Sequence, residues 1–284
     1  MLEGFGSGKA PMPWALISVA AAFLAFGLLT RLFPCNRGQR SFAAKGFGDD
    51  VLYWAISIFV YSDLSSLILK LGVRTAFGAG APSVLGRIDA GWGWAHALPL
   101  LVQAALVIVV TDVIQYWLHR AFHGRALWPF HAVHHSAVEV DWTTTYRVHP
   151  VNFIIYNSCV AALVRGLGFS PEVFALIAPF NFITSSLVHA NLDWTFGPFR
   201  YVFASPVFHR WHHSSDPQVR DKNFAPTFPV LDLMFGTFHM PRGELPAQYG
   251  VEGAPEHFLG QLVWPFKVLA GRLASKSPLD QAAV

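Results

Sequence analysis

The chain has 284 residues, enough for one large domain or two small ones. Only 13% of them are charged and 53% are hydrophobic, with 25 Phe and 10 Trp; soluble proteins carry about 25% charged residues, so the composition is that of a membrane protein. Two cysteines, Cys35 and Cys159, exclude a disulfide scaffold and a thiolate zinc site, and the net charge of +3 is not gathered into any nucleic-acid-binding motif, so no nucleic-acid partner is expected. Residues 13–30 are an uncharged apolar run followed by Arg31, Arg37, Arg40 and Lys45. A secretory signal would carry a basic start and a shorter apolar core; only Lys9 precedes this run, which predicts a retained transmembrane helix. Residues 51–69 form a second span with Asp63 in its middle, a carboxylate that is functional by default at that depth or that snorkels among Ser62, Ser65 and Ser66. Residues 72–95 contain Gly and Pro and read as a loop. A third span covers 97–118. Residues 151–168 and 173–188 are two apolar runs separated by a polar tip with Ser170, Pro171 and Glu172, which predicts a helical hairpin dipping into the bilayer with both ends on one side. Residues 257–273 read as an interfacial helix or as a helix packed over the site.

This layout fixes an orientation. If the first span exits to the cytoplasm, residues 31–50, 119–150 and 190–284 are cytoplasmic and hold 15 of the 20 Lys and Arg, the asymmetry expected of cytoplasmic loops. The same face then carries all the clustered histidines. These are His119 and His123, then His131, His134 and His135, then His209, His212 and His213. With 13 His in 284 residues, one His-x-x-His-His triple is expected by chance roughly 0.03 times, and there are two. On a helix, positions i, i+3 and i+4 share a face, so each triple aims its rings at one point. Imidazole is the commonest neutral metal ligand. Eight are too many for one tetrahedral ion and suit two ions with positions left open for a small molecule. The chain is expected to be an all-α integral membrane bundle of about four transmembrane elements with a cytosolic helical cap holding a dimetal site. It reads as one domain: N-terminal helices in 1–110, a histidine core in 112–240 and a C-terminal interfacial segment in 241–284.

The stretch Asp112-x-x-x-Tyr116-Trp117-x-His119-Arg120-x-x-His123, followed by His131-Ala-Val-His134-His135-Ser136, resembles the fatty acid hydroxylase/sterol desaturase superfamily. The likeness continues through Arg147-x-His149-Pro150, His189-Ala190-Asn191 and Pro206-x-x-His209-x-x-His212-His213-Ser214, and ends with Asp221-Lys222-Asn223-Phe224 and Leu231-Asp232-x-x-Phe235-Gly236-Thr237. It covers about residues 112–240. Phe224 stands where the family more often has Tyr, and Leu231 where Trp is common. The resemblance implies a membrane-embedded, O2-activating di-iron enzyme whose ligands are His119, His123, His131, His134, His135, His209, His212 and His213, with His189 as a ninth. Attack on an unactivated C–H bond needs a redox metal, which zinc is not, and nitrogen-rich ligation suits iron.

Asp112, on the helical face of His119 and His123, is expected to hold the free N–H of a ligand imidazole, or else to pair with Arg120 or Arg147. His149 is expected beside the ligands or the substrate. Asn191 is expected either to reach metal through water or to cap the segment starting at Asp193. His96, His239 and His257 read as structural or exposed. The reaction implied is O2-dependent hydroxylation of a lipid or sterol C–H bond at the membrane surface. No Gly-x-Gly-x-x-Gly loop, haem motif or Fe–S motif is present in the sequence, so electrons are expected from an external electron-transfer protein. Desaturation on the same metal core is the alternative. From other classes, a metal-binding transporter would place its ligands mid-membrane, and a zinc hydrolase would use a His-Glu-x-x-His motif, which this sequence lacks.

Overall fold

The computed structural model describes residues 12–39, 44–246 and 248–274; Lys9, Arg40 and Lys276 of the charge argument lie outside them. Helices build the described chain, and its only extended pairings are two isolated bridges, Pro34 with Leu192 and Ser214 with Tyr249. In order these helices are α1 (Met12–Leu32), α2 (Phe47–Ile56), α3 (Ser62–Phe77), α4 (Ala81–Ala90), α5 (Gly93–His96), α6 (Leu100–Phe122), α7 (Trp128–His135), α8 (Pro150–Gly166), α9 (Glu172–His189), α10 (Pro206–His212), α11 (Val230–Met234) and α12 (Phe258–Ala274). Short 3-10 segments occur at Trp142–Tyr146 and Gly197–Tyr201.

Among the described residues two helices, α6 and α9, are long and apolar enough to cross a membrane; the first expected span falls within α1. The second expected span is α2 and α3 joined by a π-helical turn at Ser57–Tyr61, with Asp63 exposed on its surface. The expected loop at 72–95 is helical instead. Helix α3 runs on to Phe77, Gly78 turns the chain with φ +50°, and α4 starts with Pro82 in its first turn. A proline there loses no hydrogen bond, because first-turn N–H groups have no intrahelical acceptor. Gly and Pro therefore punctuate helices in this region.

The hairpin of α8 and α9 forms as its apolar runs suggest. Its tip is closed by Gly168, at φ +90°, whose carbonyl accepts from Trp92 N–H at 2.9 Å. A Cβ at residue 168 would collide with the Trp92 carbonyl, and the left-handed φ itself favours glycine. Between α6, α8 and α9 lies a packed cluster of Val107, Val160, Val164, Phe169, Val173, Phe174 and Ile177. Helix α1 packs Phe26 against Trp142, with stacked rings 5.3 Å apart. Helix α12 lies on α7 and α2, joining Phe258 to Tyr53 and Val133, while Leu259 and Val263 on its other face are exposed. The ends of α6 and α9 and all of α7 and α10 meet at one level of the bundle, and that is where the histidines are.

Candidate metal centre

Each histidine triple sits on a short helix with a defined start. Helix α7 opens with Pro129 in its first turn. Helix α10 opens with Pro206 and the side chain of Ser205, which accepts from Phe208 N–H at 3.2 Å and caps the helix. His119 closes the last turn of α6, His123 follows as its cap residue, and His189 ends α9. All nine histidines singled out in the sequence converge. His119, His123, His131, His135 and His212 form one set whose nitrogen atoms all lie within 4.8 Å of one another; His134, His189, His209 and His213 form a second set of the same tightness.

The two sets exchange members between motifs. From the first triple, His131 and His135 enter the first set and His134 the second. From the other triple, His209 and His213 enter the second set and His212 the first. Residues i and i+4 stay together while i+3, about 60° round the helix from i, reaches across. Neither motif makes a set alone.

The hydrogen bonds fix which ring nitrogen is bare. A carbonyl oxygen only accepts, so the imidazole nitrogen facing it must carry the hydrogen. Nδ1 of His119 donates to Phe224 O at 2.8 Å, that of His134 to Arg147 O at 3.2 Å, that of His189 to Ser185 O at 2.8 Å and that of His212 to Lys222 O at 2.8 Å. His131 Nδ1 lies 2.8 Å from Asn152 Oδ1, and His123 Nδ1 lies 2.9 Å from an Asp221 carboxylate oxygen. This is the outer arrangement that orients ligand imidazoles and raises their basicity.

A neutral ring has one N–H, so each Nε2 is then an unprotonated lone pair. Yet Nε2 of His119 is 3.0 Å from Nε2 of His131, and Nε2 of His134 is 3.1 Å from Nε2 of His189. With no hydrogen between them these contacts are repulsive, and a cation between the nitrogens reverses the sign. Nε2 of His123 and of His212 is buried with no hydrogen-bond partner among the described residues. Protonation does not relieve the crowding. Burial, followed by the field of the neighbouring imidazoles, pushes His123, His131, His134, His135, His209, His212 and His213 well below the ordinary histidine value. The donor set fits a pair of divalent transition-metal ions, for which neutral imidazole is a suitable ligand.

Three sequence expectations meet different partners. Asp112 touches no imidazole: its carboxylate accepts the backbone N–H groups of Thr227 and Phe228 at 2.8 and 3.0 Å. Two unpaired amides of the loop passing beside α6 outcompete a ring already satisfied by Phe224 O. Asn191 is engaged elsewhere. Its carboxamide pairs both ways with the backbone of Asn36, at 2.8 and 3.2 Å. His149 accepts Val151 N–H on Nδ1 and faces Leu262 O with Nε2, so it caps α8 and ties it to α12.

The residues that do orient the rings are Asn152, Asp221 and the carbonyls of Arg147, Ser185, Lys222 and Phe224. Asn152 had a faint signal, a carboxamide two residues after Pro150 in an otherwise mostly apolar helix. The Phe224 carbonyl is set by Asp232, which accepts Phe224 N–H, Ala225 N–H and the Thr237 hydroxyl at 2.7, 2.9 and 2.6 Å. Asn223 holds the same loop at φ +60°, donating to Phe208 O and accepting from His239 N–H. Beside the rings, a cavity of about 290 Å³ opens between α6, α8 and α9, bordered by His119, His131, His134, His189 and His209.

Fold and site together define a helical protein with, among the described residues, two membrane-length apolar helices and a buried nine-histidine cluster suited to metal. Comparison with known proteins gives the family. Residues 104–237 match the model of the fatty acid hydroxylase family. An ornithine lipid hydroxylase of Rhizobium tropici is 31% identical over 72% of this chain and 66% of its own length. An alkylglycerol monooxygenase of Danio rerio is 32% identical over 53% of this chain and 31% of its own. A very-long-chain aldehyde decarbonylase of Oryza sativa subsp. indica is 28% identical over 74% and 39%. The chain thus spans about two thirds of the first relative and about a third of the others. No solved structure matches it. The chain belongs to the fatty acid hydroxylase family, whose relatives found here are lipid-modifying oxidoreductases.

Proposed function

We propose that the protein is a membrane-bound di-iron oxygenase that hydroxylates a C–H bond of a lipid, with the nine histidines as ligands. The observation that carries this reading is the opposition of bare Nε2 lone pairs within two adjoining sets of imidazoles. Iron bound there supplies the redox chemistry by which O2 attacks an unactivated C–H bond, which zinc does not. The balance is one C–H bond, one O2, two electrons and two protons giving one C–OH and one water. The electrons come from a separate redox protein.

The chain's own residues do the rest. Backbone carbonyls and the side chains of Asn152 and Asp221 keep each ring in the tautomer that presents Nε2. The cavity admits the lipid beside five of the nine rings and holds it by its walls of α8 and α9. Outward side chains on the surrounding helices, such as Leu67, Leu71, Leu101, Val109 and Ile183, are exposed and apolar, as expected of surfaces facing lipid. This supports lateral entry from a bilayer, with the histidines at its cytoplasmic face as the distribution of basic residues suggests. Turnover under labelled oxygen gas tests the reading. One labelled oxygen atom gained by an extracted lipid is expected. Loss of two hydrogens without oxygen would make the protein a desaturase, and product formed equally well without O2 would end the oxygenase reading.

A further inference from the structure

The cavity beside the histidines has a polar lining for which a plain hydrocarbon chain has no use. Four carboxamides, Gln115, Asn152, Asn157 and Asn181, line it, and no Asp, Glu, Lys or Arg does. Most hydroxyls there are already engaged as donors, while that of Tyr146 has no hydrogen-bond partner among the described residues. Thr145 donates to Ser185 O, Thr184 to Phe180 O, Ser185 to Asn181 O and Tyr156 to Gln115 O. Asn157 donates to Phe153 O at 2.8 Å, and Asn152 gives its oxygen to His131. The side chains of Gln115 and Asn181 make no hydrogen bond among the described residues, and the NH2 group of Asn152 has no acceptor there. What the cavity offers is therefore uncharged donors: the N–H groups of these carboxamides and the Tyr146 hydroxyl.

Their placement follows from the helices. Gln115 stands one turn before His119 on α6, and Asn152 touches His131. Asn181 stands eight residues before His189 on α9, about 12 Å along the helix axis. Donors thus occur next to the rings and two turns deeper, where Val160 and Ile177 begin the packed cluster. Buried donors facing only methylenes are left unsatisfied, and a site with such groups rejects ligands that lack the acceptor.

We propose that this cavity recognises the neutral linkage region of a lipid. An ester, amide or ether oxygen accepts from Gln115, Asn152 or Asn181, so that the carbon presented to the histidines lies within a few bonds of that linkage. The interior of an acyl tail is excluded. Charged parts of the headgroup stay outside, since nothing in the lining pairs with them. The inference rests on the lipid oxygenase reading for its substrate, but its test does not depend on turnover.

The test uses the metal-loaded protein in lipid nanodiscs. Displacement of a radiolabelled N-acyl amide is measured with four competitors of equal chain length: an N-acyl amide, a methyl ester, an alkyl glyceryl ether and the plain hydrocarbon. The wild type is expected to bind at least one of the oxygen-bearing ligands about 10- to 100-fold more tightly than the hydrocarbon, and the rank among the three identifies the linkage. In Gln115→Leu/Asn181→Leu that preference should shrink to roughly 3-fold or less, with hydrocarbon binding retained or strengthened. Equal affinity of the wild type for all four ligands overturns the proposal, whether or not the variant folds. So does a preference that the double variant keeps in full. Turnover assayed in the same nanodiscs reports on the oxygenase reading separately: a preserved preference without oxygen insertion would refute that reading and leave this one standing.

Discussion

The two sets of imidazoles draw on the same pair of motifs, yet they face different surroundings. Both sets are buried and each has two rings that donate to backbone carbonyls: His134 and His189 to Arg147 and Ser185 in the set of His134, His189, His209 and His213, His119 and His212 to Phe224 and Lys222 in the other. Three of the four rings in the former set border the cavity. The set of His119, His123, His131, His135 and His212 has one more ring, and only His119 and His131 border the cavity. Its His123 leans on Asp221, whose side chain is 53% exposed. One set therefore has most of its rings on the cavity and the other reaches toward water. A side-chain carboxylate at the protein surface orients a ring less rigidly than a backbone carbonyl held in a helix or a pinned loop.

The largest effect should come from breaking the exchange between motifs. His134→Ala and His212→Ala each remove the one ring that a triple lends to the opposite set. Either change is expected to lower turnover by at least about 10³-fold, because loss of one ion disables a pair that acts as a unit. Retention of a tenth of wild-type activity in either variant would show that the sets work independently. Next come the groups that orient the rings. Asn152→Ala and Asp221→Ala should each weaken metal binding by about 10–100-fold. Asp221→Ala should sit at the lower end, because solvent can replace an exposed carboxylate; metal titration against a chelator ranks the two. If Asp221 matters more than Asn152, the solvent-facing set is the more tightly organised one.

Asp112→Ala should act differently from both. It leaves the amides of Thr227 and Phe228 without acceptors, a cost of about 1–3 kcal/mol per buried group, read as a lower unfolding midpoint. Metal affinity should change less than 10-fold, since Asp232 still holds the Phe224 carbonyl. A loss of metal affinity as large as that of Asn152→Ala would restore the role first expected of Asp112. A separate effect, on stability and not on turnover, concerns acid. The seven histidines pushed below their usual range by burial stay neutral in the folded chain, while in the unfolded chain they take up protons below about pH 6.5. The unfolded state then binds more protons, so stability of the metal-free protein rises with pH in that range and falls on acidification. Each such histidine contributes up to about 1.4 kcal/mol per pH unit. Thermal unfolding of chelated protein at pH 5.5 and 7.5 checks the sign; a higher midpoint at pH 5.5 would contradict the burial of these rings.

How much of this was legible in the sequence follows from what carries each feature. Spacing of three and four residues on one helix is local, so the triples at His131 and His209 announced themselves, as did His189 through the family likeness. The apolar runs of α6, α8 and α9 were equally local. The division of each triple between two sets was not, because it depends on how α7 and α10 lie against each other. The partners of Asp112 and Asn191 are backbone groups 115 and 155 residues away. Backbone N–H and C=O groups carry no residue identity, so composition cannot point to them. The same holds for the carbonyls that orient His119, His134, His189 and His212. At 72–95 the misleading signal was Pro82, a residue that breaks helices in their interior and starts them in the first turn.

The central claim is that the two sets hold two metal ions that depend on both motifs. The most direct measurement is elemental analysis of the purified protein after iron loading, for the wild type, His134→Ala and His212→Ala. Two ions per chain are expected in the wild type and about one or fewer in each variant. One ion or none in the wild type, or two in either variant, would contradict that claim.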